Sequence, residues 1–209
     1  IETRTVGSAT LQNVPPIPAE VSQAVQRFQN SRAALFEGWF PDGSMLIATR
    51  FGDTQQLHHV AAPGAARTQL TFGSEPIASA HVIPGSQRFV LVRDTGGDEW
   101  FQLYAQGLTG QPTRISTPGT RNGSPVFSAD GRLIVWAEAR KGSPAYTILA
   151  TDPENPSAPR RLAEFPGGAQ PADIADTGQT LAVLRSLSNR ESQIHLVDLP
   201  SGAIRQLTP

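Results

Sequence analysis

The chain has 209 residues, 17 of them basic and 18 acidic, for a formal net charge of -1. No excess of either sign recruits nucleic acid or an anionic surface. Zero cysteine excludes disulfides and thiolate metal sites. No apolar run approaches the ~20 residues that cross a bilayer.

The first eighteen residues show little periodicity and end in Pro15-Pro16-Ile17-Pro18, a stiff extended linker. Starting at Ile1 rather than Met, the sequence reads as a processed product or an excised piece. Ala19–Arg32 is the one good helix candidate, with Val21, Val25 and Phe28 at i, i+4 and i+7. Pro18 is suited to open it. Such a stripe is expected to pack on neighbouring structure; the alternative is a helix that docks a partner domain. Residues 1–32 are read as an N-terminal extension.

From residue 33 the chain repeats one pattern. SPVFSADGRLIVWAEA (124–139) reads as a strand, a tight turn and an apolar second strand. The same template fits 36–50, 79–93 and 172–185. The turn glycines Gly43, Gly85, Gly131 and Gly178 recur after 42, 46 and 47 residues. A second marker follows each: QLT at 69–71, RIST at 114–117, RLAE at 161–164 and QLT at 206–208. Its apolar residues, Leu70, Ile115, Leu162 and Leu207, recur after 45, 47 and 45 residues. Two markers sharing a period in the forties are the signature of β-propeller blades, WD40-like in length. The expected fold is therefore all-β: a propeller of four-stranded antiparallel blades at 33–72, 73–117, 118–165 and 166–209, with one N-terminal helix. Four blades are read as part of a seven- or eight-bladed ring. The uncovered faces of an incomplete ring are expected to drive self-association.

In a meander of this kind the a–b and c–d turns share one face of the ring, and the b–c and d–a connections share the other. The a–b and most c–d turns are tight and explained by turn chemistry. The b–c side is charged. Strand b ends at Arg50, Arg93, Glu138 and Arg185, and Asp53, Asp94, Asp98 and Glu99 lie just beyond. One reading is solvated loop charge with ion pairs between blades, such as Arg93 with Asp53. The other is a polar mouth that meets a ligand or a second domain.

No G-x-S-x-G elbow, phosphate-binding loop or H-E-x-x-H pattern is present. No cofactor motif stands out. His58 and His59 are adjacent on a strand and point to opposite faces, so they cannot chelate one metal together. The four histidines are expected to be ordinary surface or inter-blade residues. Asn122-Gly123-Ser124 matches a glycosylation acceptor. No catalytic residue is predicted in this chain.

RDTGGDEWFQLY (93–104) resembles a segment in the N-terminal propellers of bacterial prolyl oligopeptidase family serine peptidases, of the acylaminoacyl-peptidase and dipeptidyl-peptidase kinds. RFGDTQQL (50–57), QLTF (69–72) and TRNGSPVFSADG (120–131) are similar to the same propellers; the S-x-D-G and QLT marks are shared with TolB-type propellers. The resemblance implies a gating domain that admits short peptides to a C-terminal α/β-hydrolase domain holding a Ser-Asp-His triad. No triad residue falls within this chain. The compartment, bacterial cytoplasm or periplasm, is left open by the sequence. The double-glutamate element that grips a substrate amino terminus in dipeptidyl peptidases has no match here. The alternatives are a freestanding TolB-like propeller that binds another protein, and a propeller glycosidase or lectin.

Overall fold

The computed structural model describes residues 2–7, 9–156 and 158–209. The chain divides into two compact units, Ile1–Ala33 and Ala34–Pro209.

The first unit holds a hairpin and a helix. β1 (Thr3–Val6) pairs antiparallel with β2 (Ala9–Gln12). This hairpin departs from the expected featureless start. Its signal was present: two short β-prone runs, TRTV and ATLQ, flank Gly7-Ser8. Gly7 has the positive φ, +59°, that the first position of a tight hairpin turn requires. Asn13 closes the pair, its N–H donating to the Glu2 carbonyl at 2.8 Å. The helix α1 spans Ala19–Gln29. Pro18 sits at its N-cap, and its carbonyl accepts the Val21 and Ser22 N–H groups at 3.1 Å. The expected burial of the stripe is not found: Val21, Val25 and Phe28 all remain exposed.

The second unit is four antiparallel sheets of four strands, each a simple meander. Blade one is β3 (Ala34–Trp39), β4 (Met45–Thr49), β5 (Gln56–Val60) and β6 (Arg67–Gln69). Blade two is β7 (Ser79–Val82), β8 (Arg88–Arg93), β9 (Gln102–Gly107) and β10 (Thr113–Arg114). Blade three is β11 (Arg121–Phe127), β12 (Ile134–Ala139), β13 (Ala145–Thr151) and β14 (Arg160–Pro166). Blade four is β15 (Gly168–Ile174), β16 (Thr180–Ser188), β17 (Glu191–Asp198) and β18 (Ile204–Gln206). The four marker glycines take φ between +68° and +81° in the a–b turns. Asp42 and Asp130 brace two of these turns. Each accepts a serine hydroxyl at 2.6 Å, from Ser44 and Ser128, and a backbone N–H.

The downstream marker has an equally local cause. The Thr71 hydroxyl accepts the Leu57 N–H at 2.8 Å, while the Leu70 N–H donates to the Leu57 carbonyl at 2.8 Å. Ser116 and Ile115 do the same with Leu103, and Thr208 and Leu207 with Ile194. The hydroxyl thus clips the outermost strand onto strand c where regular pairing stops. Blade three has Ala163 in the hydroxyl position and instead continues β14 as a paired strand as far as Pro166, past a register shift at Leu162.

The core is three seams between successive blades. Leu46, Ala48 and Leu57 of blade one meet Ala80, Phe89 and Leu91 of blade two. Val90, Val92 and Leu103 of blade two meet Ile134, Trp136 and Leu149 of blade three. Val135, Ala137 and Ile148 of blade three meet Ile174, Leu181 and Val183 of blade four. Each sheet is thus apolar on both faces, and no blade can bury itself alone. The two end faces stay open. On blade one Phe36 and Trp39 are 55% and 61% exposed. On blade four Ile194 and Leu207 are exposed.

Candidate functional site: the charged b–c side

Strand pairing ranks the predicted charged residues. Arg93 closes β8 opposite Gln102, and Arg185 lies on β16 opposite Gln193. Each partner glutamine immediately precedes a clipped residue of strand c, so the two arginines share one rung. Glu138 holds the corresponding place opposite Thr147, before Ile148. In blade one that rung is Thr49, opposite Gln56, so Arg50 stands one residue beyond it.

These groups are anchored individually. The Arg93 guanidinium sits over the Tyr104 ring, 4.7 Å from its centroid. Arg93 and Asp53 do not pair, contrary to expectation; Asp53 is exposed in its loop. The Arg185 Nε donates to the Pro166 carbonyl at 3.1 Å. Glu138 is 1% exposed and receives Nε and Nη2 of Arg140 at 2.9 and 2.8 Å. Its other oxygen, Oε2, is buried without a hydrogen-bond partner among the described residues.

The loop from Asp94 to Glu99 is held by its own carboxylates. Asp94 accepts the Glu99 N–H at 3.0 Å, and Asp98 accepts the Trp100 N–H at 2.8 Å. Gly96 and Gly97 have positive φ, and so does Glu99 at +59°. A non-glycine residue there is strained unless its surroundings hold it. The Asp94 bond does so, and the exposed Glu99 carboxylate then lies 3.9 Å from Arg121 of the next blade. Among the predicted residues, Asp94 and Glu99 are brought together by this hydrogen bond.

Several features carry more structure than the sequence suggested. Asn122 is 3% exposed. Its Oδ1 accepts the Trp136 indole N–H at 3.0 Å, and its Nδ2 donates to the Phe101 carbonyl at 3.0 Å. With both ends of the amide used inside the second seam, the N-G-S match is not an available glycan acceptor in the folded chain. The long c–d connection of blade three is a clasp on blade two. Glu154 accepts the Ser86 hydroxyl, and its Oε2 lies 3.2 Å from Arg88 Nη1. Of the histidines, expected at the surface or between blades, His58 and His195 are buried, and His195 of blade four meets the Phe165 ring of blade three edge-on. Burial lowers the pKa of both, so the neutral ring is favoured.

No family model and no curated protein matches this sequence. Solved structures do match. TolB from Acinetobacter baumannii is 19% identical with a TM-score of 0.61, over 86% of this chain and 43% of that one. Prolyl oligopeptidase B from Galerina marginata, solved with a 35mer hydrolysis and macrocyclization substrate, is 11% identical with a TM-score of 0.66, over 91% and 32%. An oligogalacturonate lyase from Vibrio parahaemolyticus is 14% identical with a TM-score of 0.66, over 83% and 52%. This chain thus spans less than two thirds of each. At such identities the likeness is one of fold, and fold does not carry function. The fold is the β-propeller shared by TolB and by the propeller regions of prolyl oligopeptidase family peptidases, with four of its blades present here.

Proposed function

We propose that this chain is the non-catalytic propeller portion of a prolyl oligopeptidase family serine peptidase, gating short peptides to an α/β-hydrolase domain C-terminal to it. The observation that carries this reading is the extent of the match to prolyl oligopeptidase B. Ala34–Pro209 is 176 of the 209 residues, so a match over 91% of the chain takes in part of the N-terminal unit as well. The RDTGGDEWFQLY segment supports the same reading. Arg50, Asp53, Arg93, Asp94, Asp98, Glu99, Glu138 and Arg185 then belong to the side that meets the hydrolase domain and the substrate. Their work is positioning and exclusion, since none is arranged as a nucleophile with its base.

The test is the full-length gene product beside a fluorophosphonate serine probe. Further blades, a G-x-S-x-G segment and labelling on that serine are expected. A gene product that ends after a few more blades and does not label overturns the reading. The second reading, a freestanding protein-binding propeller, is favoured by the TolB match and would then hold. In isolation the 209-residue chain is expected to self-associate through its open faces, and a monodisperse monomer by light scattering counts against that.

A further inference from the structure

A cavity of about 510 Å³ opens at the a–b end of the innermost strands of blades one to three. Its lining includes Glu37, Trp39, Phe40, His81 and Phe127, and no lysine or arginine. Glu37 is half-buried on β3 and reaches across to blade two, where its Oε2 accepts the Ala80 N–H at 3.1 Å. That close approach depends on Gly38, where an added Cβ would lie 2.9 Å from Val82 Cγ2. No cation pairs with Glu37 among the described residues. Burial raises its pKa against the opposing Ala80 bond, and burial lowers that of His81. The imidazole is therefore not the missing countercharge.

One partly desolvated carboxylate without a counter-ion, set with a single imidazole in a largely apolar wall, is the polar handle of a ligand site. We propose that this cavity binds an organic ammonium ion carried on an apolar body. The ammonium group supplies the charge that Glu37 lacks and donates to its free oxygen; the apolar body covers the aromatic and proline-rich wall. One carboxylate and one imidazole are too few ligands to hold a metal ion there. This inference stands apart from the peptidase reading: the cavity lies at the end of the blades opposite the b–c mouth, and its test does not involve hydrolysis.

The experiment is calorimetric titration of the 209-residue chain near neutral pH with 2-phenylethylamine, and separately with 2-phenylethanol, its uncharged counterpart. Saturable binding of the amine is expected, with the alcohol at least about tenfold weaker. Glu37→Gln is expected to bring the amine down to the level of the alcohol while the circular dichroism spectrum stays unchanged. Equal affinity for amine and alcohol on the unaltered chain overturns the proposal whatever happens to the variant. So does a folded Glu37→Gln chain that keeps its amine affinity, or no saturable binding up to roughly 10 mM.

Discussion

Gly131 of blade three lies directly against the backbone carbonyl of Pro84 in blade two: a Cβ added there would sit 2.2 Å from that oxygen. The turn glycine of one blade is therefore also part of the seam with its neighbour. Gly43 has a similar φ, +81° against +70°, but nothing within 4 Å of an added Cβ. Gly43→Ala should cost about 1–2 kcal/mol from the left-handed backbone alone. Gly131→Ala should cost about 2 kcal/mol more, because backbone must move from backbone. Urea unfolding of both variants checks this. Equal losses would show that the seam has slack at Pro84.

Removing a hydroxyl clip strands a buried donor. Thr71→Val keeps the side-chain shape and leaves the Leu57 N–H unpaired at a fully buried residue, for a loss of about 1–3 kcal/mol. Thr208→Val should cost less than about 1 kcal/mol, since the Ile194 end of that clip is exposed and water can replace the hydroxyl. Matching losses in the two variants would argue against burial as the deciding factor.

Acid should destabilise the chain in two stages. Burial lowers the pKa of His58, His81 and His195 in the folded state, while unfolded histidine keeps the ordinary value of 6.5. Below that value the unfolded chain binds more protons, so stability falls as the pH drops and the loss is complete below the folded values. Asp42, Asp130 and Asp198 are held low mainly by serine hydroxyls of their own turns, Ser44, Ser128 and Ser201. Their contribution is present above the ordinary 3.8 and is lost as the pH falls through the folded values. Urea midpoints measured from about pH 8 to pH 3 should be flat above ~6.5 and then fall in two stages. A flat profile through pH 5 would contradict the burial of these rings.

Asn122→Ala should cost about 1–3 kcal/mol for the stranded Trp136 indole N–H alone. The change should also shift Trp136 fluorescence, because the indole loses its acceptor in a closed seam. Unaltered emission with unaltered stability would mean that the amide is dispensable there.

What was legible in the sequence is what local chemistry dictates. The turn glycines and the strand b apolar runs need only neighbours along the chain, and they located the blades. The QLT marker was visible as a period, while its cause, a hydroxyl reaching the Leu57 N–H fourteen residues back, needs the folded strand pair. The charged residues were legible as a set, because they share a position in the repeat. Their separate fates were not. Whether a strand-end side chain lies over Tyr104, like Arg93, or vanishes into a seam, like Glu138, depends on a neighbouring strand or blade. The N-terminal hairpin was missed although Gly7-Ser8 announced it, because four-residue strands give the eye little periodicity.

The three seams join only adjacent blades, through one repeated arrangement of apolar faces. No blade therefore encodes how many others there are. A gene that gains or loses one unit of some forty-five codons changes the circumference without requiring any new kind of contact. Circumference in such a lineage is a matter of copy number, and the chemistry of each connecting loop is free to diverge on its own.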